Sequence, residues 1–235
     1  MKKYIQHSVK KSLKERKEYY LYDIPIHIIN PLPDHIDINN ILEDLKTTIP
    51  YEFFVGLEGI YVGEFPELED RKIQAMLKDG AIYLSSFENY PDVTDEIIIK
   101  NIIHELSHLL ENKYYYEIYN DESIEKEYLG KKKRIVDLLR ANDITFAGMG
   151  KLFFSEDYVD ELDDFLFNNL GYDNLIVLTT GLFLSPYSVT SLREYFANGL
   201  EEYLKGDRDY LKEVSPILFN KLDSLFEGEI TTYGS

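Results

Sequence analysis

His104, Glu105 and His108 stand together in the segment IIHELSHLLE (residues 102–111), an otherwise apolar run. On a helix, positions four apart project from one face, one turn from each other. Both imidazoles can therefore reach one ion. Glu105 is rotated about 100° from His104, so its carboxylate can act on a water held by that ion without ligating it. Two imidazole ligands plus a general base is the arrangement of H-E-x-x-H zinc sites. The competing reading is a pair of surface or half-buried histidines with no metal. The other three, His7, His27 and His35, have no metal-type spacing and read as structural or exposed.

A catalytic zinc takes three protein ligands and leaves a fourth position open. The chain has no cysteine, so thiolate ligands, disulfides and a cysteine nucleophile are excluded. The continuation HELSHLLENKYYY lacks the glycine and third histidine of metzincins, so a carboxylate must be the third ligand. Two glutamates compete. Glu127 lies nineteen residues after His108, a spacing of aminopeptidase-type gluzincins, but in a stretch dense in Glu. Glu194 lies in SPYSVTSLREYFANGLEEYL, with Asn198 one turn on as an expected hydrogen-bond partner of a ligand histidine. Phe196, Ala197, Leu200 and Tyr203 form the packing face of that helix. Glu194 is the preferred ligand and Glu127 the alternative.

The pairing of HELSH with YSVTSLREYFANGLEEYL resembles the catalytic domain of anthrax lethal factor and the related Pro-Pro endopeptidases. The likeness covers the site helix and roughly residues 185–226. It implies a zincin-like gluzincin metallopeptidase in which Glu194 ligates Zn2+ and Tyr187, seven residues earlier, donates a hydrogen bond to the oxyanion. Two departures accompany it. The stretch between His108 and Glu194 is much longer than the likeness implies, so residues 113–180 read as a helical insertion. Asn198 stands where that family carries an acidic residue. Pro-Pro cleavage is therefore not carried over.

The expected activity is hydrolysis of a protein or peptide by a zinc-activated water, with Glu105 as general base. Two alternatives stay open: an inactive zinc-bearing interaction or assembly protein on a peptidase fold, and an aminopeptidase using Glu127.

The elements that must position these residues are legible in outline. Thr94 is the expected N-cap of the site helix, with Asp95 and Glu96 in its first turn, an apolar stripe of Ile98, Ile102, Leu106 and Leu109, and an end near Asn112. Upstream, residues 20–30 read as one strand, 38–49 as a helix, 51–65 as two strands joined near Leu57–Gly59, 67–80 as a short helix ending at Asp79-Gly80, and 81–87 as a strand. That last strand reads either as the sheet edge above the site or as an ordinary internal strand, with Ile82, Leu84 and Ser86 on one face. Downstream, residues 113–170, 189–206 and 215–226 carry helical patterns. Strands early and helices late give an α+β fold with a small mixed sheet. The expected division is a basic arm (1–18), a sheet subdomain ending in the site helix (19–112), the insertion (113–180) and a helical C-terminal subdomain (181–235).

Composition limits the partners. The 235 residues carry a net charge of −18, although residues 1–17 hold seven Lys/Arg against one Glu. An acidic body repels nucleic-acid phosphates; it reads first as a solvated surface and only second as one that attracts a basic protein substrate. No apolar run is long enough to span a bilayer, and no signal sequence is visible. The chain is expected to be cytoplasmic, or released without a standard signal.

Overall fold

A computed structural model describes residues 18–144 and 148–233, apart from the side chains of 229–233. The expected basic arm lies outside the described residues except for Glu18. The fold is α+β: a small mixed five-strand sheet is followed by a mostly helical part.

The N-terminal segment is a hairpin rather than one strand. β1 (Tyr19–Leu21) and β2 (Ile24–Ile28) pair antiparallel, with Leu21 opposite Ile24. Between them Tyr22 takes a left-handed backbone (φ 57°). Its hydroxyl lies 3.1 Å from both Lys46 O and Ile49 O at the end of α1 (Ile38–Thr48), so a tertiary anchor holds a turn that local sequence does not announce.

The stretch expected as two strands is a helical turn, α2 (Tyr51–Phe54), and one strand, β3 (Gly59–Gly63). Phe53 and Phe54 are both fully buried. Successive side chains on a strand point to opposite faces, whereas a helical turn lets both enter the core. The next expected helix also divides. α3 (Pro66–Arg71) ends at Lys72 in the left-handed region, and β4 (Ala75–Lys78) follows. Asp79 (φ 50°) and Gly80 (φ 76°) then form the tight turn to β5 (Ala81–Ser85). Asp-Gly supplies the two positive φ angles of a two-residue hairpin; here it closes a hairpin and does not end a helix.

Strand order is β1-β2-β3-β5-β4, with β2/β3 and β3/β5 parallel and β4/β5 antiparallel. β5 is therefore interior, the second of the two readings of 81–87, and β4 supplies the edge. Ile82, Leu84 and Ser86 are all buried, as expected of one covered face.

The site helix is α4 (Asp95–Lys113). Thr94 Oγ1 accepts the Ile97 N–H at 3.3 Å as its N-cap. The helix packs on α1, β4 and β5. Ile99, Ile103 and Leu110 are buried besides Ile98, Ile102 and Leu106, so its buried face is wider than the expected stripe, while Leu109 is only half-buried. The segment 113–180 contains α5 (Tyr115–Tyr119), α6 (Ser123–Ala141), α7 (Asp160–Asp164), a π-helical stretch (Phe165–Gly171) and α8 (Tyr172–Thr179). Its buried residues, among them Ile124, Tyr128, Ile135 and Leu166, belong to the same apolar core as the sheet. α9 (Leu192–Lys205), α10 (Arg208–Val214) and α11 (Pro216–Tyr233) complete the chain. No helix among the described residues is long and apolar enough to cross a membrane.

Candidate metal centre

α4 and α9 pack against each other, and the site lies where they meet. Ser191 starts α9 by accepting the Glu194 N–H on its hydroxyl at 3.1 Å. This cap sets Glu194 in the first turn, with its carboxylate facing the two histidines. Glu194 Oε2 is 3.0 Å from His104 Nε2, and Oε1 is 3.8 Å from His108 Nε2. The three residues offer ligand atoms that all lie within 4.8 Å of one another.

The donor set fits a zinc ion. Bonds of roughly 2.0–2.1 Å in tetrahedral geometry separate ligand atoms by roughly 3.4 Å, and the observed separations bracket that value. Glu194 Oε2 is buried and has no hydrogen-bond partner. Its approach to His104 is close but not aligned as a hydrogen bond. The nearest positive charge is the protonated His104 ring, and a metal ion held here would take over its role of meeting the charge on this buried oxygen.

Each histidine has a different partner behind it. His104 Nδ1 donates to Glu201 Oε1 at 2.7 Å. Burial alone would push this imidazole down, but the carboxylates of Glu194 and Glu201 outweigh it and hold the ring up at about 10. His108 goes the other way. Burial, then the positive charges of Arg193 and His104, push it down to about 2. Its Nδ1 accepts from Arg193 Nε at 2.9 Å.

Glu105 is buried beside the ligands, and its Oε2 accepts the Leu77 N–H of β4 at 2.6 Å. Burial pushes its carboxyl up, against the opposing pull of His104 and that backbone donor. Tyr187 lies in a short 3-10 turn (Tyr187–Val189) before α9. Burial and the charge of Glu194 raise its phenol to about 12, with Glu105 adding to the effect. Its hydroxyl therefore keeps its proton. The Tyr187 ring lies 6.4 Å from that of Phe167, which stacks on Tyr172 at 6.2 Å.

The arrangement brings His104, Glu105, His108 and Glu194 together, with Tyr187 near enough to feel both carboxylates. Two expected residues stand elsewhere. Asn198 Nδ2 donates to Glu194 O at 2.8 Å, a bond within α9, and not to a histidine. Glu127 lies away from the site: its oxygens accept Ile217 N–H (3.0 Å), Leu218 N–H (3.1 Å) and the Tyr195 hydroxyl (2.8 Å). Two backbone donors at the start of α11 and the Tyr195 hydroxyl of α9 engage it, as suits negative charge at a helix N-terminus.

Sequence reasoning missed Glu201, Arg193 and Glu111. Glu201 had a signal, since seven residues after Glu194 is two turns along the same face. Arg193 had none, because its contact with His108 exists only once α9 lies across α4. Glu111, one turn beyond His108, was visible but unremarkable in a Glu-rich chain. No protein-family model, no curated protein and no solved structure matches this sequence.

Proposed function

We propose that the chain is a zincin-type, zinc-dependent endopeptidase that hydrolyses a protein or peptide. The observation that carries this reading is the convergence of His104, His108 and Glu194 with Glu105 held between them and an edge strand. Those three residues would hold the metal. Zinc, when bound, supplies a Lewis acid that polarises the scissile carbonyl and lowers the pKa of a water in its open position towards about 7.

The chain's own residues do the rest. The Glu105 carboxylate removes a proton from the attacking water and returns it to the departing amine nitrogen. Its burial raises its basicity, which suits this shuttle near neutral pH. The Tyr187 hydroxyl, kept protonated, donates to the oxygen on which negative charge develops. β4 is the edge strand of the sheet, and an extended peptide adds to such an edge by main-chain hydrogen bonds. Glu105 is bonded to β4 at Leu77, so a peptide lying there passes the base.

Glu105→Gln tests the reading. The variant should bind one zinc per chain, as wild type does, and lose at least about a hundredfold in kcat/KM on a mixed peptide pool. Undiminished cleavage by Glu105→Gln would falsify the mechanism. Zinc bound by wild type with no cleavage of any peptide would assign the chain to the interaction or assembly class instead.

A further inference from the structure

The two histidines are not equally prepared for a metal. His104 Nδ1 faces an acceptor, the Glu201 carboxylate, at 2.7 Å. Coordination through Nε2 then requires only that a proton leave that nitrogen, and nothing need move. His108 faces a donor. Arg193 Nε gives its hydrogen to His108 Nδ1 at 2.9 Å.

A neutral imidazole carries one N–H, and the hydrogen bond at one nitrogen decides where it sits. With Nδ1 accepting, the hydrogen resides on Nε2, the atom that faces Glu194 Oε1 at 3.8 Å. A metal at Nε2 needs a lone pair there, so the hydrogen must transfer to Nδ1. Nδ1–H and Arg193 Nε–H would then be two donors pointing at each other. The Arg193 contact and coordination by His108 exclude one another.

A carboxylate stands beside that arginine. Glu111 Oε2 is 3.4 Å from Arg193 Nε, and the Glu111 side chain is 11% exposed. Its other oxygen accepts the Tyr119 hydroxyl at 2.5 Å, which fixes the carboxylate. The Arg193 side chain is 50% exposed, so its guanidinium can turn into water with little desolvation to reverse.

We propose that Arg193 is a gate on metal loading: it holds His108 in the tautomer that cannot coordinate, and loading moves its guanidinium aside so that Glu111 accepts the Nδ1–H. The inference rests on the zinc reading above. It makes Arg193 a positioning residue that opposes the metal and Glu111 one that supports it.

Zinc affinity is the readout, measured by competition with a chromophoric chelator. Arg193→Ala should bind zinc about tenfold more tightly than wild type, and Glu111→Gln about tenfold more weakly, the lower end for partners of metal-bound histidines. Arg193→Met keeps most of the apolar stem and should tighten binding as Arg193→Ala does, which separates the lost donor from lost packing. Nitrogen-15 NMR of the wild-type imidazoles gives an independent reading: His108 should be the Nε2–H tautomer without metal and Nδ1–H with zinc. Unchanged or weaker affinity in both Arg193 variants overturns the gate, and so does a metal-free spectrum already showing Nδ1–H. Wild type that binds no zinc would overturn both the gate and the peptidase reading. Wild type that binds zinc without tightening in the Arg193 variants would overturn the gate alone.

Discussion

At the scale of single residues, the partners behind the ligands decide how well a metal is held. A carboxylate behind a ligand imidazole fixes the ring and raises its basicity. Glu201 stands in that place behind His104, and Asn198, one turn nearer Glu194, does not. Glu201→Ala should therefore weaken zinc binding about 10–100-fold. Asn198→Ala should change it less than about twofold, since its amide bonds a carbonyl within its own helix. Equal losses in a chelator titration would return Asn198 to the role first expected of it. The two histidines and Glu105 were legible in the sequence because helix geometry alone fixes what residues i, i+1 and i+4 can share. Glu194 was legible through its setting. Arg193 was not, because nothing local tells an arginine which side chain of another helix it will meet.

At the scale of elements, close approach between helices sets where Glu194 stands. α9 carries Glu194 on one side and Gly199 against α11 on another. A Cβ at Gly199 would lie 2.9 Å from Leu218 Cγ, and nearer still to Leu218 Cδ2. The absence of a side chain lets the two helices touch. Gly199→Ala should destabilise the fold by about 1–3 kcal/mol through overpacking, despite the better helix propensity of alanine. Leu218→Ala should cost less in the Gly199→Ala background than in wild type, since the clash is with that one side chain. A denaturant series on the single and double variants checks both statements, and additive losses would show that the two positions do not meet. The elements misread from sequence share a cause. Asp79-Gly80 closes a hairpin and Phe53-Phe54 belongs to a helical turn, and in each case tertiary burial chose between local readings that pattern alone left close.

At the scale of the molecule, the candidate metal site joins parts that are distant in sequence: two histidines in α4 and a glutamate in α9. The long helical stretch between them supports the junction. α6 holds the loop before α9 through Tyr128, whose hydroxyl donates to Val189 O at 2.9 Å. Buried Lys131 donates to Leu182 O at 2.8 Å and Ser215 Oγ at 3.1 Å, tying segments on either side of α9. A ligand that binds only the folded chain stabilises it by mass action, by about 4 kcal/mol at a thousandfold excess over Kd. Zinc should accordingly raise Tm, and Glu194→Ala should abolish most of the rise. The rise should also depend on pH in a definite sense. Without metal, His104 holds a proton up to about 10, against 6.5 for an ordinary imidazole. That proton's contribution to metal-free stability is complete below about 6.5 and is lost as pH rises through about 10. Zinc must displace the same proton, so its advantage grows across this window. The zinc-induced rise in Tm should be larger at pH 8 than at pH 6.5. A rise that stays constant or shrinks would mean that the His104 proton does not compete with the metal, and that the ligand atoms meet in some other way than through Nε2 of that ring.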